Sequence, residues 1–200
     1  MRDIVTSAGE SVCVFCASSG AAPPRLIADA TRFGQILASA GVRLVYGGGG
    51  IGLMGACARA AHDAGGQVLG IIPGFLTEYE AAYTKVETVV VGNMHERKMR
   101  MFEESDAFAV LPGAIGTLEE SIEILSWRRL GLHAKPIVFY NPDGFWDPLF
   151  AFFAQLERQR LVPGEFAECW GQVDDIEALL PALRAAPAGD PTYVPIVQRA

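Results

Sequence analysis

The sequence has no hydrophobic run long enough to cross a membrane. A membrane-spanning helix needs about 20 apolar residues in succession, and no segment of this 200-residue chain reaches that length. The opening segment, MRDIVTSAGE, also lacks the apolar core of a signal peptide. These two absences predict a cytoplasmic protein that has no membrane partner.

Positive charge is scarce as well. Lys and Arg together number 16 against 23 Asp and Glu, which gives a formal net charge of −7. A broad nucleic-acid-binding surface needs a basic stripe, so we do not expect nucleic acid as a partner. A local phosphate site is compatible with this charge. Hydrophobic residues make up 50% of the chain, which is enough for a large core.

Cysteines are few and do not form a recognisable metal pattern. Of the four cysteines, Cys13 and Cys16 form a C-x-x-C pair, which is typical of a redox couple or of half a zinc site. Their segment has the pattern of a strand, on which residues three apart point to opposite faces. No second C-x-x-C follows, and the three histidines are scattered. We therefore favour two buried thiols and predict no metal site.

Short apolar runs alternate with longer helical patterns along the chain. Nearly continuous apolar strands are typical of a parallel sheet that is buried on both faces. The alternation predicts the α/β class, with a single Rossmann-like domain of six to seven parallel strands and helices on both faces. This domain is predicted over 11–185, between an N-terminal extension at 1–10 and a C-terminal tail at 186–200. The predicted strands are 11–17, 42–46, 67–72, 86–91, 107–111, 136–140 and a weaker one near 167–173, and the predicted helices are 24–40, 52–64, 95–105, 117–131, 145–160 and 174–185.

Ligands bind at the carboxyl ends of the strands in such sheets, so the turns after strands are the candidate sites. The turn at 16–20 is rich in small residues, and its hydroxyls, including that of Ser18, can bond a phosphate or a ribose. The alternative is an ordinary polar turn before a helix.

The next turn carries four consecutive glycines at 47–50. Gly47, Gly49 and Gly52 fit the dinucleotide fingerprint G-x-G-x-x-G. That fingerprint belongs to the first strand–helix turn and requires an acid at the end of the next strand, and neither condition is met here. Two explanations of these glycines remain open. Either a ligand approaches the bare backbone, or a helix packs closely on a strand.

Two later turns place charge and bare backbone at helix starts. Arg97 and Lys98, in MHERKMRM, oppose the helix macrodipole, which indicates either an anion-holding role or a solvated charged face.

The segment LPGAIGTLEE opens another helix, where free N–H groups form an anion site. Thr117 can cap this helix or bond a phosphate. Thr117 and Glu120 have the spacing of a capping box, so Glu120 is either a capping residue or a carboxylate close to a bound phosphate.

Several motifs follow the order found in one family. They are CASS, VYGGGGIGLMG, IIPGF, MHERK, LPGAIGTLEE, SWRRLGLHAKPI and NPDGFWDPL. Over roughly residues 11–185 the chain resembles the LOG family of cytokinin-activating phosphoribohydrolases, whose members often carry the label "lysine decarboxylase". That label has no support in this sequence, which contains only three lysines and no recognisable Schiff-base motif.

The resemblance implies cleavage of the N-glycosidic bond of nucleoside 5'-monophosphates (AMP, a cytokinin riboside 5'-monophosphate, or both) to free base and ribose 5-phosphate. It implies catalytic roles for Arg97 and Glu120, no cofactor, and a homodimer with sites near the subunit interface. The substrate contacts that it implies are Glu80, Lys98, Gly113, Ile115, Gly116, Thr117 and Glu119. Ser18, Gly48, Gly49, Met94, Ala114 and Ser126 are predicted as further substrate contacts.

Two positions depart from the family pattern. Ala114 replaces a glycine, and we expect its methyl group to crowd the phosphate or to force a less suitable backbone angle, at a cost to activity. Ser126 replaces a threonine and keeps the hydroxyl.

The implied reaction builds positive charge on the ribose, as in other glycoside hydrolyses. Glu120 is expected to stabilise that charge, and Arg97 to hold the phosphate or to support the departing base. The alternatives are a non-catalytic nucleotide-binding module and, on the weak glycine fingerprint, a dinucleotide-dependent oxidoreductase.

Overall fold

The computed structural model describes residues 10–162 and 164–186. Its seven strands are β1 (Ser11–Phe15), β2 (Arg43–Tyr46), β3 (Val68–Pro73), β4 (Glu87–Val91), β5 (Ala107–Val110), β6 (Ile137–Tyr140) and β7 (Gly171–Val173). Its six α-helices are α1 (Pro24–Ser39), α2 (Gly52–Asp63), α3 (Met94–Glu103), α4 (Ile115–Arg129), α5 (Asp147–Arg158) and α6 (Leu179–Ala185).

The strands form one sheet in the order β4-β3-β2-β1-β5-β6-β7. Leu44 of β2 pairs with Val68 of β3 in parallel register, and Phe108 of β5 pairs with Ile137 of β6 in the same way. Every residue of β1, β3, β5 and β6 is buried, which explains their continuous apolar character. The prediction of a Rossmann-like α/β fold with six to seven parallel strands is confirmed.

Three predicted boundaries were wrong for local reasons. Helix α4 begins at Ile115 instead of 117. Helix α6 is shorter than the predicted 174–185, because a 3-10 turn at Ile176–Ala178 precedes it. A second 3-10 segment, Gly164–Cys169, takes up the start of the predicted weak strand and leaves only β7.

The described chain divides into two compact units. The first unit contains 10–13 and 18–106, and the second contains 14–17, 107–162 and 164–186. The single domain over 11–185 stays a prediction. Residues 1–9 of the predicted extension and 187–200 of the predicted tail lie outside the described residues.

The C-x-x-C pair lies at the end of β1. Cys13 and Cys16 are both buried, as predicted, although Cys16 follows the last residue of the strand. Within residues 10–162 and 164–186, no group of three His, Cys, Asp or Glu side chains is arranged to hold a metal ion. In the same ranges, no helix combines the length and the apolar character needed to cross a membrane.

Candidate active site

Arg97 lies on the first turns of α3 and is only 4% exposed. Its Nε donates a hydrogen bond to the carbonyl of Ile71 at 3.2 Å, and its Nη2 donates to the carbonyl of Gly47 at 2.9 Å. The side chain therefore connects α3 with β3 and with the glycine loop that follows β2.

Side-chain hydrogen bonds of Asn93 and Glu96 fix the start of α3. The Glu96 N–H donates to Asn93 Oδ1 at 2.9 Å, and the Gly92 N–H donates to Glu96 Oε2 at 2.8 Å. The two bonds satisfy two backbone donors at the helix start, as in a capping box, although Glu96 bonds the residue before the N-cap. This arrangement was not predicted, although Asn followed three residues later by Glu is a usable signal in the sequence.

The four glycines at 47–50 lie against other parts of the first unit. A Cβ on Gly47 would collide with the Arg97 guanidinium, and a Cβ on Gly50 would collide with the carbonyl of Ala81. Gly48 has a φ of +81°, and a Cβ there would lie 2.8 Å from the Cβ of Ile72. Close packing, one of the two alternatives that the sequence left open, accounts for these glycines without a dinucleotide.

Glu80 is held against the same loop by backbone hydrogen bonds. The Gly50 N–H donates to the Glu80 carbonyl at 2.9 Å, and the Tyr83 N–H donates to the Gly48 carbonyl at 3.1 Å. Between them, Ala81 has a left-handed φ of 46°, a conformation that is uncommon for residues other than glycine. Nothing in the sequence indicated this turn, because alanine carries no turn signal.

The Glu80 carboxyl group faces Arg97. Its Oε2 lies 3.6 Å from Arg97 Nη2, is buried, and has no hydrogen-bond partner. Burial raises the pKa of Glu80 above the ordinary value, and the Arg97 guanidinium offsets part of that rise. Glu80 therefore keeps its proton to a higher pH than an exposed glutamate does.

The start of α4 is the main feature of the second unit. Ala114 is the N-cap residue, and its side chain makes no capping hydrogen bond. The N–H groups of a first helical turn have no acceptor within the helix, and together with the macrodipole they attract anions. Ala114 has a φ of −105°, an extended conformation that any residue adopts, so the backbone strain expected there was wrong.

Thr117 is the third residue of α4 and is 4% exposed. Its side chain occupies the space where a Cβ on Gly113 would lie. The predicted cap at Thr117 and the capping box with Glu120 were therefore wrong, because the helix begins two residues earlier. This removes the capping alternative for Glu120.

An open groove of about 500 Å³ runs along α4. Ile115, Leu118, Glu119, Ile122 and Ser126 are among its lining residues. Glu119 is exposed, whereas Glu120 is half-buried, as expected for neighbours that point about 100° apart around a helix.

The predicted site residues form two groups, one in each compact unit. In the first unit the structure brings together Gly48, Gly49, Glu80, Met94 and Arg97, with Met94 Sδ 3.9 Å from Arg97 Nη1. The second group lies at or along α4 and contains Gly113, Ala114, Ile115, Gly116, Thr117, Glu119, Glu120 and Ser126.

The two remaining predicted residues are Ser18 and Lys98. Ser18 is exposed in the turn after β1. Lys98, the residue after Arg97 in the sequence, is half-buried. The functional role of every predicted site residue stays a prediction.

Comparison with known proteins decides the family. Residues 54–183 match the family described as "Possible lysine decarboxylase". A protein of Oryza sativa subsp. japonica, named "Probable cytokinin riboside 5'-monophosphate phosphoribohydrolase", is 40% identical over 186 residues, or 92% of this chain and 79% of the rice protein. The chain belongs to the LOG family.

Other LOG-family relatives are more similar over shorter stretches. A second rice protein with the same description is 47% identical over 76% of this chain. A cytokinin riboside 5'-monophosphate phosphoribohydrolase of Arabidopsis thaliana is 46% identical over 75% of it. The matched stretch spans 62% and 66% of the length of these two relatives.

Solved structures share the fold of this LOG-family chain. The molybdenum cofactor binding protein of the phototrophic bacterium Rippkaea orientalis has a TM-score of 0.68 at 22% identity, covering 90% of this chain and 98% of that one. The molybdenum cofactor carrier protein of Chlamydomonas reinhardtii has a TM-score of 0.68 at 20% identity, with the same coverage. At this identity the likeness concerns the fold alone.

Proposed function

We propose that this LOG-family chain hydrolyses the N-glycosidic bond of a nucleoside 5'-monophosphate and releases the free base and ribose 5-phosphate. The observation that carries the proposal is the 40% identity, over 92% of the chain, with a relative named as a phosphoribohydrolase. AMP and cytokinin riboside 5'-monophosphates are the proposed substrates.

The start of α4 supports a phosphate site at 113–117. The N-cap residue, Ala114, makes no side-chain bond to the helix start, and the N–H groups of a first helical turn attract anions. The buried Thr117 and the neighbouring glycines keep bulk away from these groups. The phosphate would be fixed there by backbone donors, and fixing it positions the ribose for reaction.

Glu120 is the proposed carboxylate that stabilises positive charge on the ribose. It lies on the second turn of α4 and is half-buried, which strengthens its interaction with a developing cation. Arg97 already donates to two backbone carbonyls. This arrangement favours a positioning role for Arg97 beside Glu80 over a direct role in holding the phosphate.

A homodimer is part of the proposal. Apolar side chains on α4 and α5 are exposed, with Ile115 at 79%, Ile122 at 41% and Phe152 at 52%. Exposed apolar patches are typical of interaction surfaces. Sedimentation of the wild type and of Ile122→Glu tests this, since the variant should sediment as a smaller species. The cytoplasmic location and the absence of nucleic-acid binding stay predictions.

Base release tests the proposed function directly. The purified protein is incubated with AMP and with an N6-prenylated AMP, and the products are separated by chromatography. Free base and ribose 5-phosphate in equal amounts are expected. Saturable nucleotide binding with no base released would overturn the proposal in favour of a non-catalytic binding protein.

A further inference from the structure

Glu80 presents an unusual carboxyl group. Its Oε2 is buried and accepts no hydrogen bond, although it faces a guanidinium. Buried polar atoms in proteins are nearly always hydrogen-bonded, and the exceptions are often explained by strain or by catalysis.

A purely structural ion pair does not account for this arrangement. Arg97 Nη2 directs its hydrogen bond to the Gly47 carbonyl at 2.9 Å and stays 3.6 Å from Glu80 Oε2. At that separation the guanidinium compensates the carboxylate charge only in part, because it supplies no hydrogen bond. The two side chains attract each other electrostatically, but no hydrogen bond forms between them.

The backbone sets the position of Glu80. Its carbonyl accepts the Gly50 N–H, and the next residue, Ala81, adopts a left-handed φ of 46°. Strained conformations of this kind persist where the surrounding structure holds them, and they are frequent at functional sites. The carboxyl group is therefore held in place by the turn and does not depend on a hydrogen bond from Arg97.

We propose that Glu80 is the acid that protonates the departing base. This inference rests on the function proposed above. The C1'–N bond breaks and its electron pair passes to the base, while a ring nitrogen of the base takes the proton from the Glu80 carboxyl group. A water oxygen bonds to C1' and loses a proton to solvent, and a solvent proton then restores Glu80.

The electrostatics of the group fit this role. Burial raises the pKa of Glu80, so its acid form persists above the ordinary range, and the Arg97 guanidinium, the charged group that faces it, limits the rise. After the transfer, the same guanidinium attracts the carboxylate that has formed. A catalytic acid works best when its pKa lies near the working pH.

Leaving groups of different basicity test the acid. The variants are Glu80→Gln, Glu80→Asp and the control Glu78→Gln, whose side chain is exposed two residues away. The substrates are AMP and 4-nitrophenyl ribofuranoside 5-phosphate, whose nitrophenolate departs without protonation. For Glu80→Gln, turnover of AMP should fall by about 100- to 10,000-fold, and that of the nitrophenyl substrate by less than about tenfold.

A pH profile adds a readout that a structural role would not change. In the wild type, kcat/KM for AMP should fall as pH rises through the pKa of Glu80, and Glu80→Gln should lack this limb. Glu80→Asp keeps an acid and should retain the limb, with a larger dependence on leaving-group basicity than the wild type. This variant serves as the test if thermal melting shows that Glu80→Gln does not fold.

The results that would overturn the acid role differ from those that would overturn the proposed function. A wild type that releases base, combined with a Glu80→Gln that loses both substrates equally, overturns the acid role and leaves the proposed function intact. Equal leaving-group dependence in Glu80→Asp and the wild type has the same meaning. A wild type that releases nothing from AMP, N6-prenylated AMP or the nitrophenyl substrate overturns both proposals.

Discussion

Arg97 Nη2 lies 3.6 Å from Glu80 Oε2 and donates its hydrogen bond to the carbonyl of Gly47. The guanidinium thus connects three parts of the first unit, since its Nε also donates to Ile71 in β3. Its charge acts on Glu80 over a distance at which no hydrogen bond forms. The stability of this region and the protonation of Glu80 therefore depend on the same side chain.

Replacement of Arg97 by lysine should destabilise the fold. An ammonium group lacks the planar fork that reaches two carbonyls at once, so a buried acceptor is left unsatisfied. We expect the free energy of unfolding to fall by about 2 kcal/mol or more, as measured by urea denaturation. Arg100→Lys, on the same helix at a side chain that is 48% exposed, is the matched control and should change stability by less than about 1 kcal/mol. Equal losses in the two variants would contradict the structural role of Arg97.

Glu80→Gln should change how stability depends on pH. Because the pKa of Glu80 is raised in the folded state, the folded protein binds the proton more tightly than the unfolded chain does. The wild type should lose stability relative to the glutamine variant as pH rises from the ordinary value of 4.5 through the raised pKa. Melting temperatures of both proteins between about pH 4 and about pH 8 measure this difference. A constant difference across this range would show that the carboxyl group is not perturbed.

Ala114→Asp should stabilise α4 and weaken nucleotide binding. An aspartate at the N-cap accepts a first-turn N–H and complements the macrodipole, which should raise the free energy of unfolding by about 1 kcal/mol. Its carboxylate would compete with the substrate phosphate, so AMP affinity should fall at least about tenfold, or about 1.4 kcal/mol. Calorimetric titration and thermal melting report the two effects. Ala114→Gly, as the control, should leave affinity within about threefold, since the backbone at 114 is unstrained. If the aspartate variant binds AMP normally, the phosphate lies elsewhere.

Glu120→Gln should remove turnover and leave binding intact. The change removes the charge proposed to stabilise the ribosyl cation and keeps the shape of the side chain. We expect kcat to fall by about 100-fold or more while AMP affinity and the melting temperature stay near wild type. Glu119→Gln, at the exposed neighbouring position, is the internal control and should retain most activity. Base release by Glu120→Gln near the wild-type rate would move the role to another carboxylate.

His133 should make the second unit sensitive to acid. Its Nε2–H donates to the Ile124 carbonyl at 2.9 Å, and its Nδ1 accepts the Lys135 N–H at 3.1 Å, so the neutral ring is the form that fits. Burial lowers the pKa of His133, and Arg128 and Lys135 lower it further, against the opposing effect of the Ile124 bond. Stability should therefore fall as pH drops below the ordinary value of 6.5 through the lowered pKa. His133→Gln should be less stable at neutral pH but should lack this acid-dependent loss when both proteins are melted across the same range.

The amino-acid sequence was sufficient to predict the architecture and the family. Strands such as β3 are apolar at nearly every position because both faces are buried, and that pattern predicts a parallel sheet without further information. Asn93 and Glu96 also carried a local signal for the start of α3. Each of these features depends on residues within a few positions of each other, so it is recognisable from the sequence alone.

The environment of Arg97 and the close packing of the glycines became visible only in the folded structure. Arg97 bonds residues 26 and 50 positions away in the sequence, and helical periodicity does not specify which distant carbonyls a side chain meets. The start of α4 was also known only from the structure, where Ala114 is the N-cap and Thr117, the third helical residue, packs against Gly113 instead of capping the helix. Propensity and spacing determine which local conformations are favourable, whereas contacts between distant segments are determined by the path of the folded chain.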